Sequence, residues 1–411
     1  MAASAINPVA ADVSAAMSQK KSDRPLKPAT RFVTAGRDPQ AHFGFVNPPV
    51  YHASTVLYAT ADDQEAHRAK YVYGRKGTPT TDALTQALAD LEGPACAGVS
   101  LLPSGLAAIS TAILSAVSVG DHMLVSDTAY RPTRTFCNTV LKRLGVETTY
   151  YDPAVGGEIG KLFKPNTRAV FTEAPGSQSF EMQDIPAIAK VAHERGAIVL
   201  TDNTWATPLY FRALEKGVDL AIYAGTKYLG GHSDIMFGTV SANEKYWPKL
   251  KETADNLGMC AGPDDVNLAL RGYRTLGIRL AKHQENALHV ARWLAKRPEV
   301  LRVLNPALDS DPGHALWKRD FTGASGLFSV VLKPAPKKAV HAFMDALVLF
   351  GMGFSWGGFE SLVITFDCAD YRTATKWNPG GPTLRFHIGL EDVDDLTADL
   401  EQGFAAMAAA K

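Results

Sequence analysis

The chain has 411 residues, 46% of them hydrophobic, enough to bury a large core over two or three domains, and its 42 basic and 42 acidic side chains cancel. A net charge of zero offers nothing to nucleic acid or a membrane surface as partner, and no apolar run approaches the length of a membrane span. The cysteines Cys96, Cys137, Cys260 and Cys368 lack any paired spacing, which argues against a zinc site or a disulfide framework and for a reduced, cytoplasmic protein.

The first two dozen residues lack a charged stretch followed by an apolar core, so they read as a mobile extension rather than a signal peptide. From Arg31 to Thr60 the consecutive Pro48 and Pro49 impose an extended path, and an arm without a core of its own must lie on something else. Tyr71 to Thr78 is a glycine-punctuated loop with adjacent cations, by itself a solvated surface loop. Leu84, Leu88 and Leu91 recur at helical spacing up to Gly93-Pro94. A strand at Val99–Leu102 then runs into Pro103-Ser104-Gly105-Leu106, where a helix opens; free N–H groups at such a positive end can hold a phosphate.

A strand at His122–Ser126 leads to Asp127-Thr128-Ala129-Tyr130. A helix at Pro132–Leu144, strands near Val146–Tyr151 and Arg168–Glu173, and a helix at Ile185–Arg195 follow. The short apolar runs Ala197–Leu200 and Leu220–Tyr223 read as two strands of a parallel sheet joined by a helical crossover. Alternating strands and helices predict a doubly wound, mostly parallel sheet. Ligands bind beyond the carboxyl ends of such strands, where Asp202 and Lys227 sit. A lysine able to capture an aldehyde, paired with an acid able to hold a pyridine nitrogen protonated, is what pyridoxal phosphate requires.

A long helix from Pro263 to about Arg297 reads as the bridge to a smaller α+β domain. Its strands are predicted at Leu327–Leu332 and Thr383–Ile388, with helices at Lys338–Leu349 and Val393–Met407. Within Thr383 to Ile388 alternation puts Leu384, Phe386 and Ile388 on one face and Arg385 with His387 on the other. An arginine held on a strand is a rigid, bidentate partner for a carboxylate.

The run Ala224-Gly225-Thr226-Lys227-Tyr228-Leu229, with the following Gly-His-Ser-Asp, resembles the cofactor-lysine motif of the Cys/Met-metabolism family of pyridoxal-phosphate enzymes, and the similarity extends from about Asn47 to the C-terminus. The resemblance implies a fold-type-I architecture. It divides the chain into an extension and intersubunit arm (1–60), a cofactor-binding α/β domain (61–262), and a linking helix with a C-terminal α+β domain (263–411). It implies pyridoxal 5′-phosphate as cofactor, attached to Lys227, with Asp202 on the pyridine nitrogen and Tyr130 stacked on the ring and sharing in proton transfer. Gly105, Leu106 and Thr226 would hold the phosphate, helped across a dimer interface by Tyr73 and Arg75. Arg385, Ser355, Trp356 and Tyr73 would bind the substrate. The assembly implied is a homotetramer, a dimer of dimers with shared sites.

The Pro175-Gly176-Ser177 turn resembles the family's β-cleaving members. With L-cystathionine these yield homocysteine, a step towards methionine, with pyruvate and ammonia. The rivals are γ-cleaving or γ-synthesising activity, or a broader cysteine-S-conjugate β-lyase. A catalytically idle scaffold is the rival from another class, and the joint presence of Asp202, Lys227 and Arg385 opposes it. Two departures stand out: Lys76 replaces a frequent arginine, and Arg131 to Thr135 carries cations but no acid for a distal ammonium.

Overall fold

Phe32 shows why the described chain begins with a docked helix rather than a free arm. In the computed structural model, which describes residues 26–410, α1 (Pro28–Thr34) opens on a proline, whose missing N–H costs nothing in a first turn. Phe32 is buried, its ring 5.0 Å from that of Tyr273 in the same chain. The expectation that residues from Arg31 onward lack their own core is therefore corrected: the extended path starts only after a 3-10 turn at Gln40–His42 and leads to α2 (Ala61–Glu65). The expected N-terminal extension lies outside the described residues.

Thr78 and Thr81 form a reciprocal cap at the head of α3 (Pro79–Glu92), which ends on Gly93 at φ 96°. There follow β1 (Gly98–Leu102), α4 (Gly105–Ala116), β2 (His122–Ser126) and α5 (Arg131–Phe136), which passes into a π-helical turn at Cys137–Leu141. Next come β3 (Glu147–Tyr151), β4 (Thr167–Glu173), α6 (Ile185–Glu194), β5 (Ile198–Asp202), α7 (Thr207–Tyr210), β6 (Leu220–Tyr223), β7 (Gly238–Ala242) and α8 (Trp247–Asn256). The helical crossover expected between Asp202 and Leu220 is reduced to α7 and a 3-10 turn at Ala213–Lys216, because β5 and β6 are neighbours and a short path joins them.

The sheet order is β1-β7-β6-β5-β4-β2-β3, and the pairs β2·β3, β2·β4, β4·β5 and β5·β6 are parallel, as a mostly parallel sheet requires. Only β7, unforeseen in the sequence because its Gly-Thr-Val-Ser-Ala is small and weakly patterned, runs antiparallel to β1 and β6. Every residue of β2, β5, β6 and β7 is buried, since helices cover both faces. The carboxyl ends of β2, β4, β5 and β6 thus open on one edge and deliver Tyr130, Glu173, Asp202 and Lys227 to it.

The 32-residue α9 (Pro263–Leu294) leads into the smaller domain: β8 (Val300–Leu304), α10 (His314–Asp320), β9 (Leu327–Leu332), α11 (Lys337–Asp345), β10 (Leu362–Thr365), β11 (Thr383–His387) and α12 (Val393–Ala409). Its antiparallel sheet, in the order β10-β11-β9-β8, packs Leu384 and Phe386 with Phe343, Leu400 and Phe404. Burial of that face of β11 leaves Arg385 pointing the other way. Among the described residues no helix is long and apolar enough to cross a membrane.

Candidate active site

Strand register brings two acids side by side. Glu173 ends β4 opposite Asp202, which ends β5. Asp202 Oδ1 accepts from the Thr204 N–H at 3.0 Å and from its hydroxyl at 2.6 Å, while Oδ2 has no protein donor among the described residues. Burial raises the Asp202 pKa, and the Thr204 hydrogen bonds and nearby Lys227 oppose the rise. Burial and the neighbouring Asp202 push Glu173 well above the ordinary carboxylate range. Of the two, Glu173 is the acid disfavoured as an anion both by burial and by its neighbour, whereas Asp202 has the Thr204 hydrogen bonds and Lys227 to favour its charged form. Glu173 Oε2 accepts the Tyr130 N–H at 2.7 Å, which fixes the residue that caps α5 beside both acids. The Tyr130 hydroxyl is raised by burial and by Asp202 and Glu173, against the pull of Arg385, so it is neutral at pH 7.

Lys227 lies on a turn tied back to the start of β7. The Thr226 hydroxyl donates to the Phe237 carbonyl at 3.1 Å and accepts the Phe237 N–H at 2.8 Å, so it closes this turn instead of standing free as a phosphate donor. Burial first, then Arg385, lowers the Lys227 pKa to about 8, against the opposing pull of Asp202. Its Nζ donates to Ser355 Oγ at 2.5 Å and lies 5.3 Å from the centre of the Trp356 ring. Arg385 Nη2 donates to the Ser355 carbonyl at 3.0 Å, and burial pulls its pKa down to about 10, leaving it charged at neutral pH.

The loop bearing Ser355 is held under strain. Ser355 has φ 81°, a left-handed conformation that side chains disfavour. Gly357, at φ 88°, has no room for a Cβ, which would come within 3.0 Å of the Lys227 Cα. His387, kept neutral because burial holds its pKa well below the usual value, accepts the Gly357 N–H at 3.1 Å. Sequence alternation puts His387 on the Arg385 face but gives no sign of this anchoring role. Glu173, too, escaped the sequence reading, although the strand-end rule that selected Asp202 applies to it equally.

At the head of α4 the Gly105 and Leu106 amides have no protein acceptor among the described residues, because the Ser104 hydroxyl and carbonyl serve Ala107 and Ala108. A Cβ on Gly105 would sit 2.7 Å from that of Ala224, so this cradle closes directly onto the Lys227 turn. Free amides at a helix head, an unpartnered Asp202 Oδ2 and a buried, partly neutral amine together fit a phosphorylated pyridine aldehyde. Tyr73 and Arg75 are not brought into this cluster within the chain. Tyr73 bridges to Thr55 and is exposed, and Arg75 donates to the Asp255 carbonyl at 2.8 Å.

Residues 29–405 match the family model described as Cys/Met metabolism PLP-dependent enzyme. A Rhizobium johnstonii protein is 57% identical over 384 residues, covering 92% of this chain and 96% of its own. Cystathionine beta-lyase MetC of Escherichia coli is 44% identical over 400 residues, covering 95% and 99%. Among solved structures, cystathionine gamma synthase from Xanthomonas oryzae pv. oryzae is similar with a TM-score of 0.86 and 31% identity, over 94% of this chain and 100% of that one.

Proposed function

The chain belongs to the Cys/Met-metabolism family of PLP-dependent enzymes, and from that premise we propose that it is a carbon–sulfur β-lyase converting L-cystathionine and water to homocysteine, pyruvate and ammonia. The observation that carries the reading is the meeting of Lys227 Nζ and Arg385 on the two oxygens of Ser355, the hydroxyl and the carbonyl. The amine and the guanidinium converge on one residue, so an α-amino acid gripped by its carboxylate on Arg385 would turn its Cα hydrogen towards the lysine. The Pro175-Gly176-Ser177 turn and the β-lyase relative favour β- over γ-cleavage.

Lys227 would anchor pyridoxal phosphate, with Asp202 at its ring nitrogen, Tyr130 against the ring, and Gly105 and Leu106 at its phosphate, while Thr226 holds the lysine turn in place. When bound, the cofactor supplies the electron sink for negative charge at Cα. Arg385 grips the substrate carboxylate in bidentate fashion, and Ser355 fixes its edge. An amine with a pKa of about 8 exchanges protons readily at neutral pH, so Lys227 takes the Cα proton and returns one to the sulfur as the Cβ–S bond breaks. The test is product analysis on L-cystathionine with the reconstituted protein. Pyruvate with homocysteine is expected; cysteine with 2-oxobutyrate would move the protein to the γ-lyases.

The acting assembly is a homotetramer built from dimers that share their sites. Phe43 (97% exposed), Phe45 (70%) and Leu57 (88%) along the extended path favour burial against a second subunit. The Gly74 N–H donates to the Ser54 carbonyl at 2.7 Å, so the loop with Tyr73 and Arg75 moves with that path. Arg75→Ala and Lys227→Ala proteins, each inactive, should recover about a quarter of wild-type activity when mixed and reassociated, because half the dimers gain one intact site. No recovery would return Arg75 to its own subunit's site.

A further inference from the structure

The segment between β10 and β11 meets the residues that follow Tyr130, pairing Asp370 with Arg131 and offering the Tyr371 carbonyl to Arg134. A cleft of about 720 Å³ is lined by Arg131, Gln178, Phe354, Asp367, Asp370 and Thr383 among others. Three of its lining residues are chain neighbours of the catalytic cluster: Arg131 follows Tyr130, Phe354 precedes Ser355, and Thr383 lies two residues before Arg385 on β11. Building on the β-lyase reading, we infer that Arg131 and Asp370, supported by Asp367, form a subsite for the second α-amino-acid group of the substrate. Its carboxylate goes to Arg131 and its ammonium to the two aspartates.

Arg131 Nη2 lies 2.5 Å from Asp370 Oδ2, and the two side chains are 61% and 53% exposed. A pair so open to water holds the fold together weakly, and a ligand carrying the complementary two charges can insert between its members. What lies beneath it is rigid. The Arg131 guanidinium rests 5.3 Å from the centre of the Tyr371 ring, whose hydroxyl donates to Gln178 Oε1 at 3.0 Å. Arg372 grips Glu181 at 2.7 and 3.1 Å, and Asp127 accepts the backbone N–H groups of Thr373 and Thr375, each at 2.9 Å. Exposed opposite charges on an immobilised platform beside the reacting centre are arranged for recognition, because little ordering remains to be done when the ligand arrives. Arg134, the other cation after Tyr130, is excluded: its side chain is 3% exposed and paired with Asp127.

The test compares L-cystathionine with S-ethyl-L-cysteine, which presents the same bond for cleavage but has no distal amino-acid group. Holoenzymes carrying Asp370→Asn, Asp367→Asn or Arg131→Gln should show a fall of about tenfold or more in the ratio of kcat/KM for cystathionine to that for S-ethylcysteine, expressed in the cystathionine KM. A ratio within twofold of wild type for all three variants would overturn the subsite, as would equal loss on both substrates. A wild-type protein that cleaves S-ethylcysteine but not cystathionine would also overturn it. Products other than pyruvate and homocysteine would overturn the β-lyase reading alone, leaving the ratio to decide the subsite.

Discussion

Replacing Lys227 by methionine should lower carbon–sulfur cleavage by about 10⁴-fold or more, since under the proposed mechanism one group both anchors the cofactor and moves two protons. The same change should stabilise the cofactor-free protein. Burial first and Arg385 second, against the pull of Asp202, hold the Lys227 pKa near 8 against 10.5 for a free side chain, a net cost of about 3 kcal/mol for keeping the ammonium in the folded chain. A lowered lysine pKa acts in a definite direction. Below pH 8 the folded chain carries the whole penalty, between 8 and 10.5 it fades as the amine deprotonates, and above 10.5 it is gone. Urea unfolding of the two cofactor-free proteins should therefore favour Lys227→Met by up to about 3 kcal/mol at pH 7, with the gain vanishing towards pH 10.5. A variant that is less stable than wild type at pH 7, or that keeps full turnover, would contradict this account.

What the sequence discloses is set by how local the signal is. Asp202 and Lys227 were legible because each ends a short apolar run, and strand ends in a parallel sheet share an edge. Arg385 was legible because alternation along β11 puts it opposite Leu384 and Phe386. The antiparallel β7 and the edge strands β8 and β10 were not, because Gly238–Ala242 is too small to show a pattern and Val300–Leu304 is half exposed. Long-range partners left no trace at all. Nothing within the chain near Arg131 points to Asp370, which is 239 positions away, and nothing near Gly357 points to His387, 30 positions on. Arg75 marks another boundary: within one chain it reaches only the Asp255 carbonyl, so the role across a subunit interface proposed for it has no mark in a single chain's contacts.

Asp127 is the residue whose loss should damage the architecture most. Its side chain is wholly buried between Arg134 at 2.9 Å and Arg372 at 3.4 Å, each 3% exposed, and it also accepts the Thr375 hydroxyl at 2.8 Å. Burial alone would raise its pKa, but the N–H groups of Thr373 and Thr375 and the Thr375 hydroxyl more than offset that and hold it below the ordinary value. In Asp127→Asn, Arg372 keeps Glu181 as a partner, whereas Arg134 is left with neutral acceptors such as the Tyr371 carbonyl. Stranding a buried cation in this way costs about 3–5 kcal/mol, and because the segment from Asp367 to Trp377 hangs on the same carboxylate, that segment should become the first site of proteolytic cutting. The pH dependence separates lost charge from lost packing. A depressed carboxyl pKa contributes stability that is present above about pH 4, its unfolded value, and is lost as pH falls through the folded one. Wild type should therefore lose stability on that acid limb while Asp127→Asn, already without it, falls less steeply. Equal acid limbs, or a neutral-pH cost within about 1 kcal/mol, would mean that Asp127 is not what fastens the segment carrying Asp367 and Asp370 to the floor of the site.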